Sequence, residues 1–233
     1  MQKDIFKYRH EYKYPITREQ MVLEETKLSA VAAKDSNVGD KGYYNIRSLY
    51  FDDYYDSFYK DNVNGTDHRE KYRIRIYNHS AENIKLEMKK KVRGMTQKLS
   101  CKITEEQCRL LMDGIIPTEI NQNQQVLGKL AYLMAVRLMH PVIIVDYDRV
   151  PYIYRMDDAN VRVTFDMNLT SSENISDFLE ERIDGRGVFG VGELLMEVKY
   201  DEFLPDEIRS VLELEGLSAS TFSKYYLCRK FKG

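Results

Sequence analysis

Charged and apolar residues alternate with a period of two in segment after segment of this 233-residue chain, a pattern that a helix cannot satisfy. From Phe6 to Tyr14, Phe6, Tyr8, His10, Tyr12 and Tyr14 fall on one face, with Lys7, Arg9, Glu11 and Lys13 on the other. Lys71–Tyr77 divides Tyr72, Ile74 and Ile76 from Lys71, Arg73 and Arg75. Ile84–Lys91 sets Lys85, Glu87, Lys89 and Lys91 against Leu86 and Met88. Asn160–Met167 and Leu194–Tyr200 alternate in the same way, and Ile46–Asp52 is a β-rich run ending in the turn-prone pair Asp52-Asp53. Gln97–Ile103 and Pro141–Arg149 are two further strand candidates. Tyrosine suits strands with one apolar and one wet side, and the chain has 18 Tyr and no Trp.

Helical signals lie between these runs. Thr17-Arg-Glu-Gln20 is a capping-box pattern that opens a helix toward Ala33, and Thr104-Glu-Glu-Gln107 opens another that stops near Gly114. Gln122–Met139 carries Val126, Leu130, Leu133 and Val136 at helical spacing. Pro205–Leu214 places proline in a first turn, and Ser218–Lys232 reads as a last helix. No repeat or linker divides the chain, so a single α+β domain over residues 1–233 is expected.

Charged residues make up 31% of the chain, yet the net charge is −2, so placement matters more than the sum. That balance argues against a general nucleic-acid partner. Cys101, Cys108 and Cys228 form no CxxC pair and read as reduced thiols. The first residues offer no apolar stretch like that of a signal peptide, and a cytoplasmic location is the expectation.

An alternating strand is ordinarily a sheet with one solvated face. Here the polar faces pair cations two residues apart, as in Arg73/Arg75 and Lys89/Lys91, and like charges that close repel unless something anionic lies between them. Single acids recur among them: Glu11, Glu87, Asp166 and Glu197. A polyphosphate with a divalent metal needs this mixture of many cations and few carboxylates. A unit charge pair at about 4 Å is worth about 1 kcal/mol in water and about 4 kcal/mol at an effective dielectric near 20, so a sheltered site holds the anion far better. Alternation alone does not decide whether the sheet closes.

Arg9-His-Glu11-Tyr-Lys13, Ile46-Arg-Ser-Leu-Tyr-Phe51-Asp52, Lys71-Tyr-Arg73-Ile-Arg75 and Lys85-Leu-Glu87-Met-Lys89 form an ordered series. It continues through Tyr147-Asp-Arg149, Arg162-Val-Thr-Phe-Asp166, Met196-Glu197-Val-Lys199 and Ser223-Lys224-Tyr225. The series resembles the catalytic domain of the vacuolar transporter chaperone (VTC) type, a polyphosphate polymerase among the triphosphate tunnel (CYTH-like) metalloenzymes. The resemblance implies a closed eight-stranded antiparallel β-barrel with helices packed outside. It also implies that Arg73 and Arg75 bind the reacting phosphates, with Lys13, Lys89, Arg149, Arg162 and Lys199 as further phosphate ligands. Glu197 would be the principal metal carboxylate for Mn²⁺ or Mg²⁺, with Glu11 a second. Ser223 and Lys224 would close one tunnel end. A broader motif of the superfamily reads Glu-x-Glu-x-Lys; Arg9 replaces its first acid, which is similar to the polymerase branch.

The activity implied is transfer of the terminal phosphoryl group of ATP to a polyphosphate chain, and ATP and polyphosphate are the expected partners. The resemblance leaves room for a membrane-protein partner that receives the product. Two alternatives stand beside it: a tripolyphosphate or nucleoside-triphosphate phosphohydrolase, and a non-catalytic polyphosphate-binding module. Gly185-Arg-Gly187-Val-Phe-Gly190 matches GxGxxG, but a strand follows it rather than a helix, so it reads as a loop. His10, His68, His79 and His140 show no metal-ligand spacing.

Overall fold

The structure is a computed structural model describing residues 10–92, 95–156, 159–212 and 216–230. Ten strands and six α-helices are described. In chain order they are β1 (His10–Thr17), α1 (Arg18–Leu28), β2 (Ala33–Lys34), β3 (Tyr44–Asp52), α2 (Ser57–Val63), β4 (Arg69–Tyr77), β5 (Ser80–Val92) and β6 (Met95–Lys102). Then follow α3 (Glu105–Met112), α4 (Gln125–Arg137), β7 (His140–Met156), β8 (Ala159–Ser172), β9 (Arg186–Gly187), β10 (Glu193–Tyr200), α5 (Asp206–Val211) and α6 (Lys224–Lys230).

The α+β expectation holds, with a large antiparallel sheet whose order is β1-β10-β8-β7-β3-β4-β5-β6; β2 pairs with β7 and β9 with β8. The expected barrel closure is corrected. Among the described residues the path is open, with β1 paired to β10 and β6 to β5. Alternation specifies which face of a strand is wet and carries no information about whether the first and last strands meet.

The chain forms two compact units, each drawn from three segments. The first takes residues up to Tyr44, Tyr147–Leu169 and Phe189–Phe222; the second takes Asn45–Asp146, Thr170–Val188 and the chain from Ser223. Each has its own core. In the first, Val161, Val163, Phe165 and Met167 of β8 pack with Leu194, Met196 and Val198 of β10. In the second, Tyr72, Ile74 and Ile76 of β4 join Leu86 and Met88 of β5, Leu127 and Leu130 of α4, and Phe178. These are the apolar sets that the alternation isolates, so the opposite faces carry the charges. Cys101, Cys108 and Cys228 are free and buried, and burial pushes the Cys108 and Cys228 thiols up to about 12.

Both capping boxes form: Thr17 accepts from the Gln20 amide and Thr104 from that of Gln107, and each glutamine side chain answers back. Helix α1 stops at Leu28, short of Ala33, because Ala33 and Lys34 pair with Ile153 and Tyr152 of β7. Helix α4 ends where Leu138 adopts a left-handed φ of 53°. Helix α6 begins only at Lys224; upstream, Ser220 donates its amide to the Lys13 carbonyl, 2.8 Å away. Strand β1 is described from His10 and runs on to Thr17, so the expected residues Phe6–Arg9 lie outside the described residues. Helix α2 has no sequence signal of its own. The buried Asp52 carboxylate accepts from the Phe58 and Tyr59 amides at 2.9 Å each and anchors its first turn. The glycine-rich stretch is mainly a loop, as expected, but Arg186 and Gly187 also pair with β8 as the short strand β9. A Cβ on Gly185 would lie 2.9 Å from the Ser171 carbonyl, so glycine is required for that close approach.

Candidate functional site

Two charged clusters contain the residues singled out from the sequence, one in each unit. In the first unit, strands β1, β10 and β8 lie side by side in register, and directly opposed residues share a face of the sheet. One rung holds Lys13, Glu197 and Thr164; the next holds Glu11, Lys199 and Arg162. Glu197 is 4% exposed and sits at the centre. Lys199 Nζ lies 2.8 Å from it, Arg149 Nη2 3.3 Å and Lys13 Nζ 3.7 Å. Lys13 also reaches Glu11 at 2.7 Å and donates to the Phe222 carbonyl. Arg149 is held by a two-pronged contact with Asp166 at 2.6 and 2.7 Å, and its guanidinium lies over the Tyr147 ring. Burial brings the Lys199 ammonium down to about 8 despite the pull of Glu197 and Glu11. Arg162 turns part of its guanidinium to the Asp35 carboxylate at 3.1 Å and the Tyr44 hydroxyl at 2.9 Å.

In the second unit, β4, β5 and β6 line up Lys71, Lys89 and Lys98 in one rung and Arg73, Glu87 and Ser100 in the next. Glu87 is 2% exposed. Its Oε2 accepts from Arg73 at 2.8 Å and lies 3.8 Å from Arg75; its Oε1 pairs with Lys98. Burial opposes charge on Glu87, but Arg73, Arg75 and Lys98 outweigh it and hold the carboxyl well below the usual range. Arg73 also donates to the Tyr50 hydroxyl at 3.0 Å. Burial opposes ionisation of that phenol, yet Arg73, Arg75 and Lys224 lower it. Ser223 accepts from Lys71 at 3.0 Å. Helix α6, which begins at Lys224, is fastened by the Tyr225 hydroxyl on Asp52 at 2.5 Å and by Arg229 on Asp56.

The structure thus joins Glu11, Lys13, Arg149, Glu197 and Lys199 through ion pairs, and separately Arg73 and Arg75 through Glu87. Lys89, Ser223 and Lys224 belong to the second unit, and Arg162 to the first. The sequence reading left Lys71, Lys98, Tyr50 and Thr164 unassigned. Lys98 had a usable signal: Lys98, Ser100 and Lys102 alternate with Leu99, Cys101 and Ile103. Tyr50 had none, because its use depends on cross-strand register with Arg73.

Among the described residues, no group of three or more His, Cys, Asp or Glu side chains could hold a metal ion by itself. A magnesium-like ion that arrives on phosphate needs only one or two protein carboxylates. Glu197 and Glu11, which share the Lys13 ammonium, are the carboxylates that could hold such an ion.

The chain belongs to the VTC domain family, whose model matches residues 8–231. Three solved structures share the fold at low identity. A Pyrococcus horikoshii protein, PH1819, is 16% identical with a TM-score of 0.50, covering 97% of this chain and 100% of that one. A Bacillus halodurans protein described as a candidate adenylate cyclase is 12% identical, TM-score 0.51, covering 93% and 94%. A Hippeastrum protein described as a candidate adenylyl cyclase with a dominant triphosphatase activity is 14% identical, TM-score 0.51, covering 97% and 96%. No curated protein matches the chain. Among the described residues, no helix is long and apolar enough to cross a membrane.

Proposed function

We propose that this protein is a metal-dependent polyphosphate polymerase that moves the terminal phosphoryl group of ATP onto a growing polyphosphate chain. Membership of the VTC domain family over residues 8–231 carries the reading. The side chains supply what phosphoryl transfer asks of a protein, namely positioning and charge stabilisation. Arg73 and Arg75 bind and orient reacting phosphates, with Lys89, Ser223 and Lys224 as further contacts. Lys13, Arg149, Arg162 and Lys199 neutralise phosphate oxygens around Glu197. Glu197 and Glu11 would hold Mn²⁺ or Mg²⁺ brought in on phosphate, which would supply positive charge against the charge on the phosphate oxygens. The terminal oxygen of the acceptor chain is already ionised, so it needs no base. A P–O bond forms from that oxygen to the terminal phosphorus of ATP, the bond to the ADP oxygen breaks, and ADP leaves with the electron pair. The reading leaves room for a membrane-protein partner that receives the polyphosphate product.

A hydrolase reading draws on the triphosphatase activity described for the Hippeastrum neighbour. It needs a group that orients water, and the buried Glu87 carboxylate beside Arg73 and Arg75 is the candidate. The test is incubation with γ-labelled ATP and Mn²⁺, products resolved by gel, for the wild type and Glu197→Gln. The expected result is label in long acid-labile chains, lost in the variant. Label in free phosphate alone would replace the polymerase with a hydrolase, and no turnover would leave a binding module.

A further inference from the structure

Strand β8 carries two buried polar atoms with no hydrogen-bond partner among the described residues: Thr164 Oγ1 and Arg162 Nε. Buried polar groups are almost always satisfied, because an unmet donor forfeits its hydrogen bonds to water with nothing in return. Thr164 is 1% exposed and opposes Glu197 directly across the β8–β10 pairing. Its neighbours Val163 and Phe165 belong to the apolar core, so the Thr164 side chain lies on the other face with Glu197, Lys13 and Arg162. Both orphaned atoms therefore lie, covered by neighbouring side chains, on the face where Lys13, Lys199 and Arg149 gather around one carboxylate.

The surroundings select the kind of partner. The oxygens of Glu197 are contacted by three cations, and every neighbouring nitrogen is a donor. A ligand rich in acceptors and able to take several donors at once completes the set. Phosphate oxygens have that chemistry. We propose that the Thr164 hydroxyl is a phosphate ligand that donates a hydrogen bond to a polyphosphate oxygen bound over Glu197, with Arg162 Nε donating to the same chain. This rests on the polyphosphate reading given above and adds a contact that neither charge nor motif points to.

The test is titration calorimetry of the full chain with inorganic tripolyphosphate, alongside thermal unfolding, for the wild type, Thr164→Val and Thr164→Ser. Valine keeps the shape and removes the hydroxyl. The ligand-free Thr164→Val protein should melt at or above the wild-type temperature, since an unsatisfied group is lost. Its affinity should fall roughly tenfold or more, the worth of a hydrogen bond to a charged acceptor. Serine should restore affinity close to wild type. Equal binding by wild type and Thr164→Val would overturn the assignment, as would a valine variant that loses stability without losing affinity, the behaviour of a hydroxyl satisfied by water. Absence of tripolyphosphate binding by the wild type would instead overturn the polyphosphate reading itself.

Discussion

Replacing Glu87 by glutamine tests whether this buried carboxylate stands in for a phosphate. The substitution keeps the shape and removes a negative charge that Arg73, Arg75 and Lys98 share. Removing one partner from a buried ion pair costs about 3–5 kcal/mol. Arg73 and Lys98 are 21% and 51% exposed and can turn to water, whereas Arg75 is 9% exposed and cannot, so the low end, about 3 kcal/mol, is expected. For a chain of this size that lowers the melting temperature by roughly 6–12 °C. Tripolyphosphate at about a hundred times its Kd stabilises any binder by about 2.7 kcal/mol. It should stabilise Glu87→Gln more than the wild type, because the anion restores the lost charge and no longer competes with the carboxylate for the two arginines. Differential scanning fluorimetry with and without tripolyphosphate reads both effects. The acid limb gives a further check. The folded carboxyl titrates below its ordinary value of 4.5, so its contribution is present above that pH and is lost as pH falls below it; the variant should lack that part of the acid destabilisation. A variant as stable as the wild type, or one that gains no more from tripolyphosphate, would refute the reasoning.

Three other outcomes are expected. Lys199 loses its proton near pH 8, so tripolyphosphate affinity should weaken as pH rises above 8, by up to about tenfold per unit; Lys199→Arg should flatten that limb, and an unchanged limb would exclude Lys199 as its source. The same shift has a stability sign: the unfolded chain binds the proton at Lys199 more tightly, so between about pH 8 and 10.5 this residue's burden on folding eases as pH rises, measurable as a rising urea midpoint that Lys199→Met lacks. Tyr225→Phe removes the hydroxyl on buried Asp52, which should cost about 1–3 kcal/mol by urea unfolding and weaken tripolyphosphate binding, because Ser223 and Lys224 start the same helix; a fall in stability with binding intact would separate α6 from the site.

Local rules determined a good part of this protein. A period of two is a property of adjacent residues, so the core sets on β4, β5, β8 and β10, and hence the charged faces opposite them, were legible in the sequence. The capping boxes at Thr17 and Thr104 act within four residues and formed where they were read. What the chain could not disclose locally depends on partners far along it. Helix α2 is anchored by a carboxylate upstream, and α1 is cut short because β7 claims Ala33 and Lys34. Whether the end strands pair, and that Glu87 rather than solvent balances Arg73 and Arg75, are likewise matters of register and strand order. The buried Thr164 hydroxyl belongs with these. Its sequence context is that of an ordinary strand threonine, and only the pairing of β8 with β10 sets it across from Glu197, where the hydroxyl is buried and a missing partner has a cost.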